Sequence, residues 1–243
     1  ITPDAVWPNI HLVEVVRSCP ELCRFCLASY LTLPFRSSSL IDGLIPAVEK
    51  GLKHTKRLGL LGASVTQHPE FLDLLNWLNN DCFKDIHLSV SSVRAATVNA
   101  KMTSILSNRG CKSLTIAIES GSERIRKIVN KKLSEEEILA SALYAQEGGL
   151  KGLKLYGIVG LPTEVEADIE ATTDLLLRLK SKASKLRLTL GVSTFVPKAH
   201  TPFQWHGVRP EAKNRLKLIA KKLKPKGIQV RPESYNSRII QAL

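Results

Sequence analysis

The 243-residue sequence predicts an α/β fold: a partial (βα)6 TIM-like barrel, in which a parallel sheet is covered by outer helices. Apolar runs of strand length alternate with segments of helical periodicity almost to the end of the chain. Six such strand–helix pairs follow one another, which is fewer than the eight of a closed barrel. We therefore expect an open barrel whose ligands lie at the carboxyl ends of its strands.

The predicted strands are short apolar runs bounded by polar segments. They cover residues 11–16, 57–61, 86–90, 113–118, 152–156 and 187–192, and a short further strand covers 228–230. The predicted helices cover 39–53, 69–79, 95–108, 122–146, 164–179 and 209–223. We expect the fourth helix to break near Lys132, because Ser134 and Glu137 form a capping box that starts a new helix.

The composition is that of an ordinary globular protein, with 44% hydrophobic and 23% charged residues. No stretch of about eighteen uninterrupted apolar residues occurs, so no membrane span is expected. The chain starts at Ile1 and ends on apolar, helix-forming residues. We expect residues 1–243 to form a single domain cut from a longer protein.

The chain is strongly basic, with 35 Lys and Arg against 22 Asp and Glu and a net charge of +13. Such a charge suits an anionic partner, which includes RNA, a phosphate-bearing cofactor and an acidic sister domain. The plainer interpretation is a set of solvated lysines, because runs such as residues 221–226 lie at predicted helix ends, where cations favour the helix dipole.

Five cysteines are present, and Cys19, Cys23 and Cys26 lie within eight residues directly after the first predicted strand. Cys82 and Cys111 are isolated, and we expect both on the amino side of the sheet. A disulfide scaffold would need more cysteine in a shorter secreted chain. Clustered thiols instead predict a metal site in a reducing compartment, either the cytoplasm or another one such as an organelle stroma.

The spacing of the three cysteines is C-x3-C-x2-C, which carries three thiolates on one short loop. Three thiolates so arranged can bind three corners of an iron–sulfur cubane. Because the other cysteines are distant in the sequence, one iron would stay open to bind a substrate or cofactor. The alternatives are a zinc site, which normally takes four protein ligands when structural, and three unrelated core cysteines.

This spacing, with the aromatic Phe25 just before the third cysteine, resembles the radical S-adenosylmethionine (SAM) superfamily. The resemblance covers nearly the whole chain and implies a radical SAM core with a [4Fe–4S] cluster bound by Cys19, Cys23 and Cys26. It also implies that the open iron chelates the amino and carboxyl groups of SAM. An electron donor such as flavodoxin or ferredoxin would reduce the cluster, and SAM would be cleaved to a 5′-deoxyadenosyl radical.

Segments after the second and third strands extend the resemblance. Gly62, Ala63 and Ser64 stand at the place of the family's Gly-Gly-Glu-Pro segment, which contacts the amino group of SAM. Ser64 replaces the usual acid, which leaves the ammonium contact to the Ser64 hydroxyl, to backbone carbonyls or to another acid; an ordinary strand–helix turn is the alternative. Arg94 is expected to contact the SAM carboxylate or a substrate anion. Its alternatives are an ion pair with Glu119 and a helix cap.

Segments after the later strands complete the expected cofactor site. Glu119 lies in Ile-Glu-Ser-Gly-Ser-Glu-Arg, which is close to a segment of the cobalamin-linked and methylthiotransferase-like branches, and it is expected to contact the SAM ribose or amino group. Gly160 lies in a segment similar to the family's Gly-Leu-Pro-Gly-Glu-Thr turn, with Thr163 in place of a glycine. Gly160 and the backbone of Val196 are expected to contact adenine.

Residues 195–205, Phe-Val-Pro-Lys-Ala-His-Thr-Pro-Phe-Gln-Trp, strongly resemble a subfamily that often carries an amino-terminal cobalamin-binding domain. The first functional interpretation is therefore a cobalamin-linked radical SAM enzyme that performs methyl transfer or cyclisation, with cobalamin bound by a domain absent from this chain. The second is a tRNA methylthiotransferase-like enzyme, which the charge of +13 suits. The third is a non-catalytic iron–sulfur binding or sensing module. The sequence identifies neither a catalytic residue nor the substrate, which is a small molecule or RNA.

Overall fold

The computed structural model, described here over residues 4–242, contains parallel strands with helices on their outer side. The strands are β1 (His11–Glu14), β2 (Val16–Arg17), β3 (Arg36–Ser37), β4 (Arg57–Leu61), β5 (His87–Val90), β6 (Ser113–Glu119), β7 (Gly152–Val159), β8 (Arg187–Thr194) and β9 (Gln229–Pro232). The helices are α1 (Leu27–Leu31), α2 (Ile45–Leu52), α3 (Phe71–Leu78), α4 (Ala100–Asn108), α5 (Glu123–Ile128), α6 (Glu135–Glu147), α7 (Glu166–Lys182), α8 (Ala212–Leu223) and α9 (Tyr235–Ala242).

The parallel strands follow the chain in order around a partial barrel. One sheet has the order β1-β4-β5 and another has the order β6-β7-β8-β9, with every pair parallel. An isolated parallel bridge between Val93 and Ile116 connects the two sheets. The predicted α/β partial barrel is thus confirmed, and the short further strand is β9, which pairs with β8.

The first predicted strand is interrupted. Strand β1 ends at Glu14, and β2 pairs antiparallel with β3. The backbone amide of Val15 donates to the carbonyl of Leu61, and the carbonyl of Val15 accepts from Ser38. The chain therefore leaves the barrel at Val15, and the loop that carries the cysteines begins beyond the sheet.

Two predicted helices have irregular starts. The segment 39–53 begins with a π-helical turn over Leu40–Leu44 and becomes α2 at Ile45. The segment 95–108 divides into a 3-10 turn over Ala95–Thr97 and helix α4. This division has a clear cause, because the side chain of Asn99 accepts a hydrogen bond from the amide of Met102 and caps the new helix.

The predicted break in the fourth helix is confirmed. Helix α5 ends at Ile128, and α6 begins after Ser134 with the reciprocal hydrogen bonds of a capping box. The amide of Glu137 donates to Ser134 Oγ, and the amide of Ser134 donates to the Glu137 carboxylate. The residues between these helices form the loop that holds the cysteine segment.

Aliphatic side chains between the sheet and the outer helices form the main hydrophobic core. Along β7, Leu153 and Leu155 are buried against the helices, whereas Lys154 and Tyr156 point to the other side. The barrel interior at β7 is therefore open rather than filled with aliphatic side chains. None of the helices in the described part of the chain has the length and apolar character needed to cross a membrane.

Candidate functional site

The cysteine segment is a loop between β2 and α1 that contains two residues in the left-handed region, Ser18 with φ of 70° and Leu22 with φ of 55°. The loop between α5 and α6 holds it. Asn130 Nδ2 donates hydrogen bonds to the carbonyls of Glu21 (3.1 Å) and Leu22 (2.9 Å). The amide of Arg24 donates to the carbonyl of Val129 at 2.9 Å. These contacts hold the cysteine loop on the two sides of Cys23 in the sequence.

The three clustered cysteines line one cavity of about 230 Å³ at the carboxyl ends of the strands. The other residues that line it are Glu21, Phe25, Ala28, Ser29, Ala63, Ser64, Ser92, Val93, Arg94, Ala117, Glu119 and Lys131. Cys82 lies in a 3-10 turn before β5, and Cys111 lies just before β6. Neither of these isolated cysteines lines this cavity.

The cavity fits an iron–sulfur cluster by its donor set. Three thiols are soft ligands for iron, and the hydroxyl of Ser29 is buried at its wall without a hydrogen-bond partner. Across residues 4–242, no three His, Cys, Asp or Glu side chains are gathered closely enough to hold a metal ion.

Burial raises the pKa of the Cys23 thiol to about 12, and Glu119 and the other two thiols act in the same direction. The cation of Lys131 acts against them. Because the thiolate is the form that ligates iron, bound iron would have to supply positive charge beyond that of Lys131.

Glu119 stands at a bulge where the pairing of β6 with β7 shifts register, and its φ of 61° lies in the left-handed region. This conformation is uncommon for a glutamate and turns the side chain into the cavity. Glu119 Oε1 accepts from Lys131 Nζ at 3.0 Å. Glu119 is therefore paired with Lys131, so the alternative that Arg94 pairs with Glu119 is wrong.

Arg94 instead pairs with Glu21 of the cysteine loop, with Arg94 Nη1 2.8 Å from Glu21 Oε2. The other terminal nitrogen of Arg94 donates to the carbonyl of Lys132. Arg94 is the N-cap residue of the 3-10 turn at Ala95, where its carbonyl accepts from the amide and the hydroxyl of Thr97, but its side chain makes no capping hydrogen bond. Its guanidinium connects the cysteine loop to the loop between α5 and α6.

A carboxylate lies close to Ser64 although the sequence has none at that position. Ser64 Oγ donates to Gln67 Oε1, and Gln67 Nε2 donates to Glu21 Oε1 at 2.6 Å. Glu21 Oε2 is buried and has no partner of hydrogen-bond geometry, although it faces Arg94. Glu21 is thus an acid beside Ser64 that comes from the cysteine loop rather than from the strand.

Three of the predicted SAM contacts do not line the cavity. A Cβ atom at Gly62 would meet the backbone oxygen of Val16 at 2.7 Å, and one at Gly160 would meet Ala212 at 3.0 Å. These glycines permit close packing of β2 and of α8, respectively. Val196 is buried directly after β8. Their contacts with adenine or methionine stay predictions.

Sequence reasoning missed Glu21, Asn130 and Lys131. Glu21 lies between the first two cysteines, at a position to which the C-x3-C spacing assigns no residue type. Asn130 and Lys131 follow α5, and nothing in the sequence indicates that they contact the cysteine loop. Asn130 also has a φ of 56°, a conformation that asparagine adopts more readily than most residues.

A second, larger cavity of about 550 Å³ adjoins the first and shares the residues Ala117 and Glu119 with it. It lies on the inner side of β7, β8 and β9. The residues of its lining that the first cavity lacks are Lys154, Leu155, Tyr156, Gly157, Ile158, Thr189, Gly191, Val192, Ser193, Arg231 and Glu233.

Comparisons with known proteins show relatives along nearly all of the chain. An uncharacterised protein of Methanocaldococcus jannaschii is 37% identical over 242 residues, which are 99% of this chain and 52% of that protein. A tRNA-2-methylthio-N(6)-dimethylallyladenosine synthase of Alkaliphilus oremlandii is 27% identical over 173 residues, which are 68% of this chain and 37% of that protein. The chain thus spans about half or less of the length of these relatives.

A solved structure with the same fold is the radical S-adenosylmethionine methyltransferase TsrM from Kitasatospora setae, with cobalamin and a [4Fe–4S] cluster bound. The TM-score is 0.66 at 12% identity, over 80% of this chain and 36% of that chain. The family model of the radical SAM superfamily matches residues 13–176, from β1 into α7, and this segment includes all three clustered cysteines. The chain therefore belongs to the radical SAM superfamily, a family of enzymes for which a [4Fe–4S] cluster and SAM are the expected cofactors.

Proposed function

We propose that this chain binds a [4Fe–4S] cluster through Cys19, Cys23 and Cys26 and reductively cleaves SAM to a 5′-deoxyadenosyl radical. The observation that carries this proposal is one cavity lined both by the three thiols and by the polar side chains expected to contact SAM. When bound, the cluster supplies the electron and an open iron for the amino and carboxyl groups of SAM. The chain's own residues orient SAM and shield it from water.

We propose that the Glu21–Arg94 ion pair recognises the amino and carboxyl groups of SAM. The amino group would donate to Glu21 and the carboxylate would accept from Arg94, and both residues line the cavity. Ser64 would hold Glu21 in place through Gln67. This arrangement gives Glu21 the role of the acid that is absent from position 64.

The remaining predicted contacts complete the cofactor site in this proposal. Glu119, oriented by Lys131, would accept from the SAM ribose or amino group. Phe25 and Ala63 would form apolar walls beside the methionine part, and both line the cavity. Gly62 and Gly160 would allow the backbone to approach SAM closely, and the backbone of Val196 would contact SAM.

For the overall reaction, we propose cobalamin-linked methyl transfer or cyclisation, with cobalamin held by a domain outside these residues. Support comes from the likeness of residues 195–205 to that subfamily and from a fold shared with a cobalamin-bound methyltransferase. A tRNA methylthiotransferase-like reaction is the second candidate, which the similarity to the A. oremlandii synthase and the charge of +13 favour. Tight tRNA binding with a steep salt dependence would select the second candidate.

The electron would come from a flavodoxin- or ferredoxin-like donor, and the thiols imply a reducing compartment.

The test of the proposed function is anaerobic reconstitution with iron and sulfide, followed by reduction with dithionite and assay for 5′-deoxyadenosine. We expect product from the wild-type chain and from Cys82→Ala, whose exposed thiol does not line the cavity. Cys23→Ala should lose iron and product together. Product at wild-type level from Cys23→Ala would reject the proposal. A wild-type chain that holds the cluster but leaves SAM intact would also reject it and would favour the third alternative, a sensing module.

A further inference from the structure

The larger cavity has an ordered inner wall, because the parallel register sets residues of neighbouring strands side by side. One row across β7, β8 and β9 consists of Lys154, Thr189 and Gln229, and the next row consists of Tyr156, Gly191 and Arg231. Side chains two positions apart on a strand point to the same face, so both rows face the cavity. The wall therefore presents two cations and one aromatic ring within a few residues.

The two carboxylates of this cavity are neutralised by cations that do not line it. Glu119 is paired with Lys131 at 3.0 Å. Glu233, at the rim, is paired with Arg238 of α9. Neither carboxylate therefore offers a free negative charge to a molecule in the cavity.

The two cations of the wall have no such partners. Within the described residues, neither Lys154 nor Arg231 forms an ion pair, and Arg231 contacts only the side-chain oxygen of Gln229, at 3.4 Å. The cavity thus carries two uncompensated positive charges beside its apolar surface. Such a site attracts an anion, and the fork of a guanidinium suits a carboxylate or phosphate.

Tyr156 forms a platform between these cations. Its ring atoms Cδ1 and Cε1 lie 3.0 and 3.1 Å from where a Cβ atom of residue 191 would stand, so the ring rests on Gly191. The residue is 50% exposed although it lies in a central strand. An aromatic ring that packs on a glycine of the sheet and is half exposed beside a cavity can stack with another planar ring.

We propose that this cavity binds the substrate, and that the substrate is a planar unsaturated ring that carries a carboxylate or phosphate group. The ring would stack on Tyr156, and the anionic group would bind Lys154 and Arg231. The shared wall at Ala117 and Glu119 brings such a ring next to the cofactor cavity. That the bound molecule is the substrate rests on the proposed function, whereas the binding chemistry rests on the cavity alone.

The test is calorimetric binding to the cluster-loaded chain under anaerobic conditions, without reductant, so that no turnover occurs. The probes are indole-3-carboxylate, adenosine 5′-monophosphate, and cyclohexanecarboxylate as a non-planar anion. We expect both planar anions to bind and cyclohexanecarboxylate to bind several-fold more weakly. A preference for the carboxylate or for the phosphate probe identifies which anionic group the site takes, and either preference supports the proposal.

Variants locate the binding. Lys154→Gln and Arg231→Gln should each weaken binding of the planar anions by about tenfold or more, because each removes a charged hydrogen bond. Tyr156→Leu should weaken the planar probes several-fold and leave cyclohexanecarboxylate unchanged. Lys217→Gln, an exposed charge on α8 outside the cavity, should change nothing. Unchanged far-ultraviolet circular dichroism establishes that each variant is folded.

Two results would overturn the inference: no binding of either planar anion at millimolar concentration, or binding that Lys154→Gln and Arg231→Gln leave intact. These failures differ from failure of the proposed function. If 5′-deoxyadenosine forms but the planar anions do not bind, only the substrate class is wrong. If the anions bind as expected but SAM is never cleaved, the binding site stands and the proposed function is wrong.

Discussion

Lys131 Nζ lies 3.0 Å from Glu119 Oε1, and the two side chains are only 14% and 8% exposed. Burial lowers the pKa of Lys131, but the charge of Glu119, with a smaller contribution from Cys23, outweighs it and holds this pKa above its ordinary value. The pair therefore stays charged beside the cysteines. It connects the wall shared by the two cavities to the loop between α5 and α6.

Removing the cation should leave the carboxylate buried without compensation. We expect Lys131→Met to lower the free energy of unfolding by about 3–5 kcal/mol, measured by urea denaturation. Lys127→Met is the matched control, because Lys127 and Glu123 form an exposed pair on α5 that should contribute less than about 1 kcal/mol. Equal effects of the two substitutions would show that the buried pair contributes no more to the free energy of unfolding than the exposed pair does.

Glu21→Gln tests which group replaces the missing acid at Ser64. We expect SAM to bind the cluster-loaded variant about tenfold more weakly, because an amide oxygen is a weaker acceptor for the amino group of SAM than a carboxylate. Equilibrium dialysis with labelled SAM measures this. Glu135→Gln, which removes a surface carboxylate paired with Arg178, is the control and should bind SAM normally. Wild-type affinity of Glu21→Gln, together with loss of SAM binding in Ser64→Ala, would assign the contact to Ser64 instead.

Gly121 marks a close approach between the start of α5 and helix α7. A Cβ atom there would meet the Cα atom of Thr172 at 2.4 Å and the carbonyl oxygen of Ala171 at 2.6 Å. Since both are backbone atoms, Gly121→Ala must displace a helix, and we expect it to cost about 2–3 kcal/mol of the free energy of unfolding. Gly207→Ala, where nothing lies within 4 Å, should leave stability within about 0.5 kcal/mol in the same denaturation experiment.

Asp168 on α7 should give the chain an acid-dependent stability. Burial raises the pKa of Asp168, but hydrogen bonds from Arg124, Ser122 and the amide of Val165 outweigh it and hold this pKa below the ordinary 3.8. A carboxyl with a lowered pKa stabilises the fold above its ordinary pKa, and this contribution is lost as the pH falls through the lowered value.

The substitution Asp168→Asn should therefore destabilise the chain by about 2 kcal/mol near neutral pH. The difference from wild type should shrink as the pH falls below 3.8, because folded Asp168 becomes protonated at its lowered pKa. Urea denaturation near neutral pH and again below pH 3.8 measures this difference. A difference that is equal at the two pH values would mean that the charge of Asp168 is unimportant.

The barrel could be predicted because its strands and helices differ in local periodicity. The cluster-binding role of the three cysteines could be predicted because it depends on their spacing within one loop. The predicted strands are shorter than β7 and β8. The prediction for 152–156 stops before Gly157, although Gly157 lies within continuous pairing, and the prediction for 187–192 stops two residues before the end of β8. The pairs Glu21–Arg94 and Glu119–Lys131 could not be predicted. Each joins loops that meet only when the barrel forms, so no local pattern encodes the contact.

The larger cavity could not be predicted from the sequence for a related reason. Lys154, Tyr156 and Arg231 look like the solvent-exposed positions of ordinary strands. Only the open interior of the partial barrel makes their shared face the wall of a cavity.

The central claim is that Cys19, Cys23 and Cys26 hold a cluster with an iron open to SAM. Electron paramagnetic resonance of the reduced, reconstituted chain with and without SAM tests it most directly. We predict that SAM changes the spectrum of the wild-type chain and of Cys82→Ala, and that Cys23→Ala gives no cluster signal. A cluster signal that SAM leaves unchanged, or one that persists in Cys23→Ala, would contradict the claim.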